Sequence, residues 1–375
     1  MIGILGATFV PTQFWATQMF APSVVGTANA ITGGWGNMGA GVTYVLMPAV
    51  YDGIRRRLSQ AQTWRVVFII PAGICILVAI LDLAFGADTP QGDWLKRRVA
   101  STEQPGLPAS EKERSRNVDE DDGSENNKNV AEKEKPIVVV QPVKNDDEEE
   151  VIGDVVRDES PIMAILNSFR VLADPPVVIM VVIYACSFGV ELAIDNVIGR
   201  VFQVKFKLDP STAAYIGSIF GLLNLFSRLT GGLFSDLLAH RLHMPGRILA
   251  LLVSMSLEGI FLIGFGCGLI NLSTSIVLMI FFSFFVQHVC GSSFAIVPFI
   301  DPVNNGKVMG IVGAGGNLGG LVFNLMFRGF GTQFREAFIC LGAISLGVAI
   351  IGCALLRVQG KTIWQLGRKH AVAHT

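Results

Sequence analysis

Apolar residues in this chain come in blocks of about twenty, the length a helix rising about 1.5 Å per residue needs to cross roughly 30 Å of hydrocarbon. The pattern predicts nine such spans, at about residues 2–20, 27–50, 65–86, 175–199, 211–236, 247–268, 273–297, 308–327 and 336–356. Between the third and fourth the pattern reverses. The stretch includes EKERSRNVDEDDGSENNKNVAEKEK and NDDEEE, too polar to bury a core, and is expected to be largely disordered. Within it, PIVVVQP at Pro136 to Pro142 is too short to span a bilayer, and SPIMAILNSFRVL from Ser160 is expected as an amphipathic helix on the membrane surface. The chain thus divides into a three-helix membrane segment at 1–86, a charged linker at 87–172, a six-helix bundle at 173–357 and a tail at 358–375.

Composition strengthens the membrane reading. Hydrophobic residues make up 51% of the 375 and charged ones 16%, and the mean hydropathy is +0.52, outside the range of soluble domains. About two-fifths of the charges lie between Glu111 and Glu159, so the remainder is more apolar than the average. A net charge of -1 gives no basic field and argues against a nucleic-acid partner. The six cysteines (Cys75, Cys186, Cys267, Cys290, Cys340, Cys353) sit inside apolar runs without metal-ligand spacing. They are expected as small buried hydrophobes, with no metal and no cofactor. The N-terminus lacks a charged region before its apolar run, which makes it a poor signal peptide and a fair membrane helix.

An internal repeat organises the spans. GGWGNMG at Gly33 to Gly39 and GAGGNLG at Gly313 to Gly319 align without gaps, and Gly26 and Gly306 keep the same offset upstream. Such a repeat points to two homologous halves. The second copy falls in the fifth of six spans after the linker and the first copy in the second of three before it. Equivalent halves would then imply three further helices ahead of this sequence. The repeated glycines (Gly33, Gly34, Gly36, Gly39, Gly313, Gly315, Gly316, Gly319) cost helix propensity, which close backbone approach between helices offsets. Asn37 and Asn317 are amides in hydrocarbon and need partners. They are expected either to face one another and a polar substrate, or to serve packing alone.

Arg228 stands midway along an apolar segment and cannot shed its proton. It requires a buried partner, for which Glu191, Asp195 and Glu258 are candidates, or a ligand. Its planar fork of donors suits a planar oxyanion, the favoured reading. After that span, GLFSDLLAHR from Gly232 to Arg241 resembles the G-x-x-x-D…R/K loop motif of the major facilitator superfamily, with Gly232, Asp236 and Arg241 as a conformational latch.

GGWGNMGAGVTYVLMP and GIVGAGGNLGG resemble the paired signatures of the nitrate/nitrite porter family, and the long polar linker is similar to that of its fungal members. The resemblance implies an all-α membrane bundle that is no enzyme. It implies nitrate, and nitrite beside it, moved by alternating access, with uptake coupled to protons at the plasma membrane. It places the linker and C-terminus in the cytoplasm, where LKRR at Leu95 to Arg98 and RKH at Arg368 to His370 agree with the positive-inside rule, while Arg55, Arg56 and Arg57 do not. By position Arg228 matches the family's substrate-binding arginine, Asn37 and Asn317 its signature asparagines, and Tyr184 and Phe188 its seventh-helix aromatics. Phe9 matches an aromatic that stacks on the anion from the opposite bundle. The family's second helix supplies a second arginine that has no counterpart here, so the chain is expected as a truncated form with impaired transport. The alternatives are a carrier of another small anion, and a nitrate sensor or scaffold whose acidic linker meets a regulatory partner. Asp82, Glu191, Asp195, Glu258 and His288 are all candidates to carry a proton, and the sequence selects none.

Overall fold

The structure, a computed structural model, describes residues 9–86 and 170–366. The linker up to 169, with PIVVVQP, LKRR and most of the segment from Ser160, lies outside the described residues, as do the first eight residues and the last nine with RKH.

Ten α-helices form among the described residues: α1 (Phe9–Met19), α2 (Val25–Arg55), α3 (Gln60–Val67), α4 (Ile69–Phe85), α5 (Pro175–Phe206), α6 (Pro210–Leu222), α7 (Asn224–Cys267), α8 (Leu272–Phe294), α9 (Asn305–Phe330) and α10 (Phe334–Leu355). Local chemistry sets many of the ends. Asp209 accepts from the Thr212 N–H at 2.9 Å to start α6, and Asn271 does the same for Thr274 at 2.9 Å to start α8. Pro175 and Pro210 occupy first-turn positions, where a missing N–H costs nothing. Lys207 closes α5 in the left-handed conformation, φ 55°. α3 and α4 part at Phe68 because Pro71 has no N–H for the Val67 carbonyl.

Six helical stretches are long and apolar enough to cross a membrane: Gln60–Phe85, Pro175–Phe206, Pro210–Cys267, Leu272–Phe299, Asn305–Phe330 and Phe334–Leu355. Three differences separate these six from the nine spans expected: the span at 2–20 is described only from Phe9, as the 11-residue α1; those at 211–236 and 247–268 fall together in one stretch; and that at 27–50 corresponds to α2. The Pro210–Cys267 stretch is 58 residues long and contains a sharp break, because His243 takes φ 55° and ψ -143° two residues before Pro245. α2 has the length, 31 residues, but its glycines and polar side chains dilute its hydropathy. The tail also departs from expectation. A two-stranded hairpin pairs Arg357–Val358 with Lys361–Thr362 across Gln359 and Gly360, both at positive φ, the turn geometry hairpins favour.

The core lies in α5 to α10. α5 runs through it, packed by α6, α8, α9 and α10, and Phe202, Phe220, Phe265, Phe282 and Phe338 fill it with edge-on and tilted ring contacts. α2 lies against α6, α7 and α8, and α1 bridges α2 and α9. α4 is the opposite of α5: it buries no residue and leaves Leu83 at 89% and Phe85 at 82% exposure, as a helix facing lipid does. α2 begins at Val25 and α9 at Asn305. Gly26 and Gly306 are therefore the second residue of each, and the sequence repeat is a repeat of helix position.

Candidate functional site

Five helices converge on one buried cluster, each contributing residues three or four apart that share a face. α5 presents Tyr184, Phe188, Glu191 and Asp195; α7 presents Asn224 and Arg228; α8 presents Cys290 and Phe294; α2 presents Gly33 and Asn37; α1 presents Phe9 and Gln13. α1 and α2 precede the linker and the other three follow it, so the cluster joins segments from before and after the linker.

At its centre the Arg228 Nη2 donates to Glu191 Oε2 at 2.5 Å, with both side chains almost fully buried. Three more donors converge on that carboxylate: Asn224 Nδ2 at 2.8 Å, Asn37 Nδ2 at 3.3 Å and the Cys290 thiol at 3.3 Å. Of the three carboxylates the sequence offered to Arg228, the structure selects Glu191. The pairing leaves donors unspent. Arg228 Nε and the Tyr184 hydroxyl are buried with no hydrogen-bond partner among the described residues. Aromatic rings wall this region. Tyr184 stacks on Phe188 at 5.3 Å, Phe9 lies near-parallel to Phe188 at 5.7 Å, and Phe294 meets both Tyr184 and Phe9 edge-on at 5.0 and 5.3 Å. The guanidinium carbon lies 5.8 Å from the Phe188 ring centre, within cation–π range.

Glycines allow this approach. A Cβ on Gly33 would stand 3.0 Å from Arg228 Nη1, and one on Gly34 2.7 Å from the Asn224 carbonyl. Gly313 faces Val10, and Gly315, Gly316 and Gly319 let α9 settle on α5 against Val181, Tyr184 and Ala185. Gly36 and Gly39 meet nothing within 4 Å. The two signature asparagines part company. Asn37 joins the cluster, whereas Asn317 is exposed and donates to the Gly313 carbonyl of its own helix at 3.0 Å. The cluster members the sequence reading passed over are Asn224, Cys290, Phe294 and Gln13. Their spacing from Arg228, from one another and from Phe9 is the helical i, i+4 that would have found them.

The motif at Gly232 to Arg241 forms a second site. Asp236 accepts from the Thr27 N–H at 2.7 Å and the Thr27 hydroxyl at 2.6 Å, capping the start of α2 where the helix dipole is positive. Gly26 and Gly232 bring the backbones into contact there. The basic partner of Asp236 is Arg247, at 2.6 Å, which also reaches the Pro22 carbonyl at 3.4 Å; Arg241 is exposed. Arg247 lies four residues beyond the His243 break, on the second arm of α7. Among the described residues no group of three His, Cys, Asp or Glu side chains is placed to hold a metal.

Comparison with known proteins agrees with this architecture. The chain is 36% identical to nitrate transporter 2.1 of Chlamydomonas reinhardtii over 94% of its own length and 55% of that protein's. It is 35% identical to the high affinity nitrate transporter 2.5 of Arabidopsis thaliana over 93% and 58%. The nitrate/nitrite transporter NrtP of a Picosynechococcus strain is 37% identical over 39% of this chain and 27% of its own. The chain spans rather more than half the length of the first two. The Major Facilitator Superfamily pattern matches residues 1–257. With that match covering more than half its length, and with its multi-pass helical bundle, the chain belongs to the Major Facilitator Superfamily.

Proposed function

We propose that the chain binds nitrate, and nitrite beside it, at Arg228, as part of a carrier that works by alternating access in the plasma membrane. The observation that carries this reading is the pair of unspent buried donors, Arg228 Nε and the Tyr184 hydroxyl, where segments from before and after the linker meet among stacked rings. A buried donor without a partner costs free energy that an arriving acceptor recovers. Flat rings at Phe188 and Phe9 suit a flat anion. Nitrate offers three coplanar oxygens to a planar fork. The similarity to proteins named nitrate transporters supports the same substrate. Proton-coupled uptake belongs to this reading, as does a regulatory partner for the acidic linker. So do the division into a membrane segment at 1–86, linker at 87–172, bundle at 173–357 and tail at 358–375, and the roles of Asn37, Phe9, Phe188 and the latch.

Equilibrium binding of labelled nitrate to the purified chain in lipid nanodiscs tests the reading. Nitrite and chlorate are expected to compete, and acetate and sulfate to compete far less. Competition in the reverse order would assign the site to a different anion.

A further inference from the structure

Glu191 occupies the ground that an oxyanion on Arg228 needs. A carboxylate is itself a planar oxyanion, and it sits on the guanidinium at 2.5 Å, held there by Asn224, Asn37 and Cys290. The pair as it stands is neutral and almost fully buried. Adding an anion to Arg228 while Glu191 stays ionised would leave one uncompensated negative charge in a low-dielectric interior, which is strongly unfavourable. Arginine cannot adjust its charge; the carboxylate can.

We propose that Glu191 is the internal counter-ion that the substrate displaces, and that the site takes up one anion and one proton together. The proton goes to the Glu191 carboxylate, which leaves Arg228 and remains bonded to the amides of Asn224 and Asn37. The anion takes its place on the guanidinium, and the site is neutral before and after. This deepens the proposed function and rests on Arg228 being the anion's ligand.

The surroundings of Glu191 favour this residue over the other buried carboxylates. Around it stand Arg228 on α7, Cys290 on α8 and Tyr184 on its own helix. Asp195, one turn along α5, and Glu258 on the second arm of α7 are the carboxyls coupled to it at longer range. From α2 come the Asn37 amide and Tyr44, whose hydroxyl donates to the Asp195 carbonyl. On the other helices packed on α5 the charged side chains are Lys307, Arg328, Arg335 and Glu336, each within three residues of a helix end. Glu258 bonds to Ser345 at 3.3 Å and has no base beside it among the described residues. His288 packs among Phe234, Phe284 and Phe285. Among the described carboxylates, Glu191 alone pairs with the arginine.

The test is nitrate affinity of the full chain in nanodiscs at several pH values between about 5.5 and 7.5. Uptake of one proton with one anion makes the apparent Kd fall about tenfold for each unit the pH drops, as long as Glu191 is ionised in the anion-free state. E191Q is expected to bind nitrate with no such slope, and nitrate is expected to raise its melting temperature more than that of the wild type, because the anion then supplies the missing counter-charge. E191D is expected to restore the slope. A wild-type Kd that ignores pH overturns the proposal and leaves the nitrate reading standing. A slope that survives in E191Q overturns it too, moving the proton elsewhere. Failure of the wild type to bind nitrate at any of these pH values overturns both readings.

Discussion

Arg228 and Glu191 show how much one buried charge constrains its neighbours. Neither side chain reaches water, so each depends on the other. Removing either alone leaves an uncompensated or orphaned group and is expected to destabilise the chain by about 3–5 kcal/mol, whereas replacing both costs far less. Thermal unfolding of R228Q, E191Q and the double variant in anion-free buffer measures this. The expected result is a double variant melting above both singles, and strictly additive losses would mean that the pair carries no coupling. At this scale the sequence was informative where a residue type is out of place. A lone arginine in an apolar span is conspicuous, and so is the need for a partner. Choosing among Glu191, Asp195 and Glu258 was not open to it, because the choice depends on how α5 is rotated against α7. Asn224, Cys290 and Phe294 were hidden for another reason: amide, thiol and phenyl groups at helical spacing look like ordinary packing.

The glycine signatures operate at the scale of the helix. They are one motif in sequence and several in space. Gly34 lies against the Asn224 backbone, and Gly41, two residues beyond the motif, lies against Gly221 so closely that a Cβ on either would overlap the other's backbone. Gly36 and Gly39 face open space. G34V and G221V are therefore expected to lower the melting temperature of the purified chain and weaken nitrate binding. G36A and G39A are expected to leave stability within about 1 kcal/mol of wild type, or raise it through helix propensity. Equal damage from all four would mean that α2 has contacts on the face carrying Gly36 and Gly39. The positions of the helices were legible from apolar block length, and the repeat gave the equivalence of α2 and α9. The break between the spans at 211–236 and 247–268 was legible too, but not that His243 makes it, since positive φ at a histidine there reflects the path of the chain. Nor was the hairpin at Arg357 to Thr362.

Across the whole molecule, α2 is fastened at two levels. Near its start Asp236 caps Thr27 and pairs with Arg247; seventeen residues further on, Tyr44 bonds to the Asp195 carbonyl beside the Gly41 and Gly221 contact. The two levels are about 25 Å apart at about 1.5 Å per residue, with the Arg228 cluster between them. A site closed on both sides must undo one fastening to open toward one face. D236N is expected to raise labelling of buried Cys290 by an impermeant maleimide added at the face where α2 begins, and Y44F to raise it at the opposite face. Equal labelling from both faces in both variants would mean that these contacts do not govern access. The glycine repeat and the G-x-x-x-D motif were visible in the sequence. That Arg247 and not Arg241 answers Asp236 was not, because it follows from the turn at His243. The central claim is that the guanidinium fork of Arg228 holds the anion, and one measurement addresses it: nitrate binding by R228K, which keeps the charge opposite Glu191 and removes the planar fork. A loss of at least about tenfold in affinity with the melting temperature largely kept is the expected result, and wild-type affinity in R228K would contradict it.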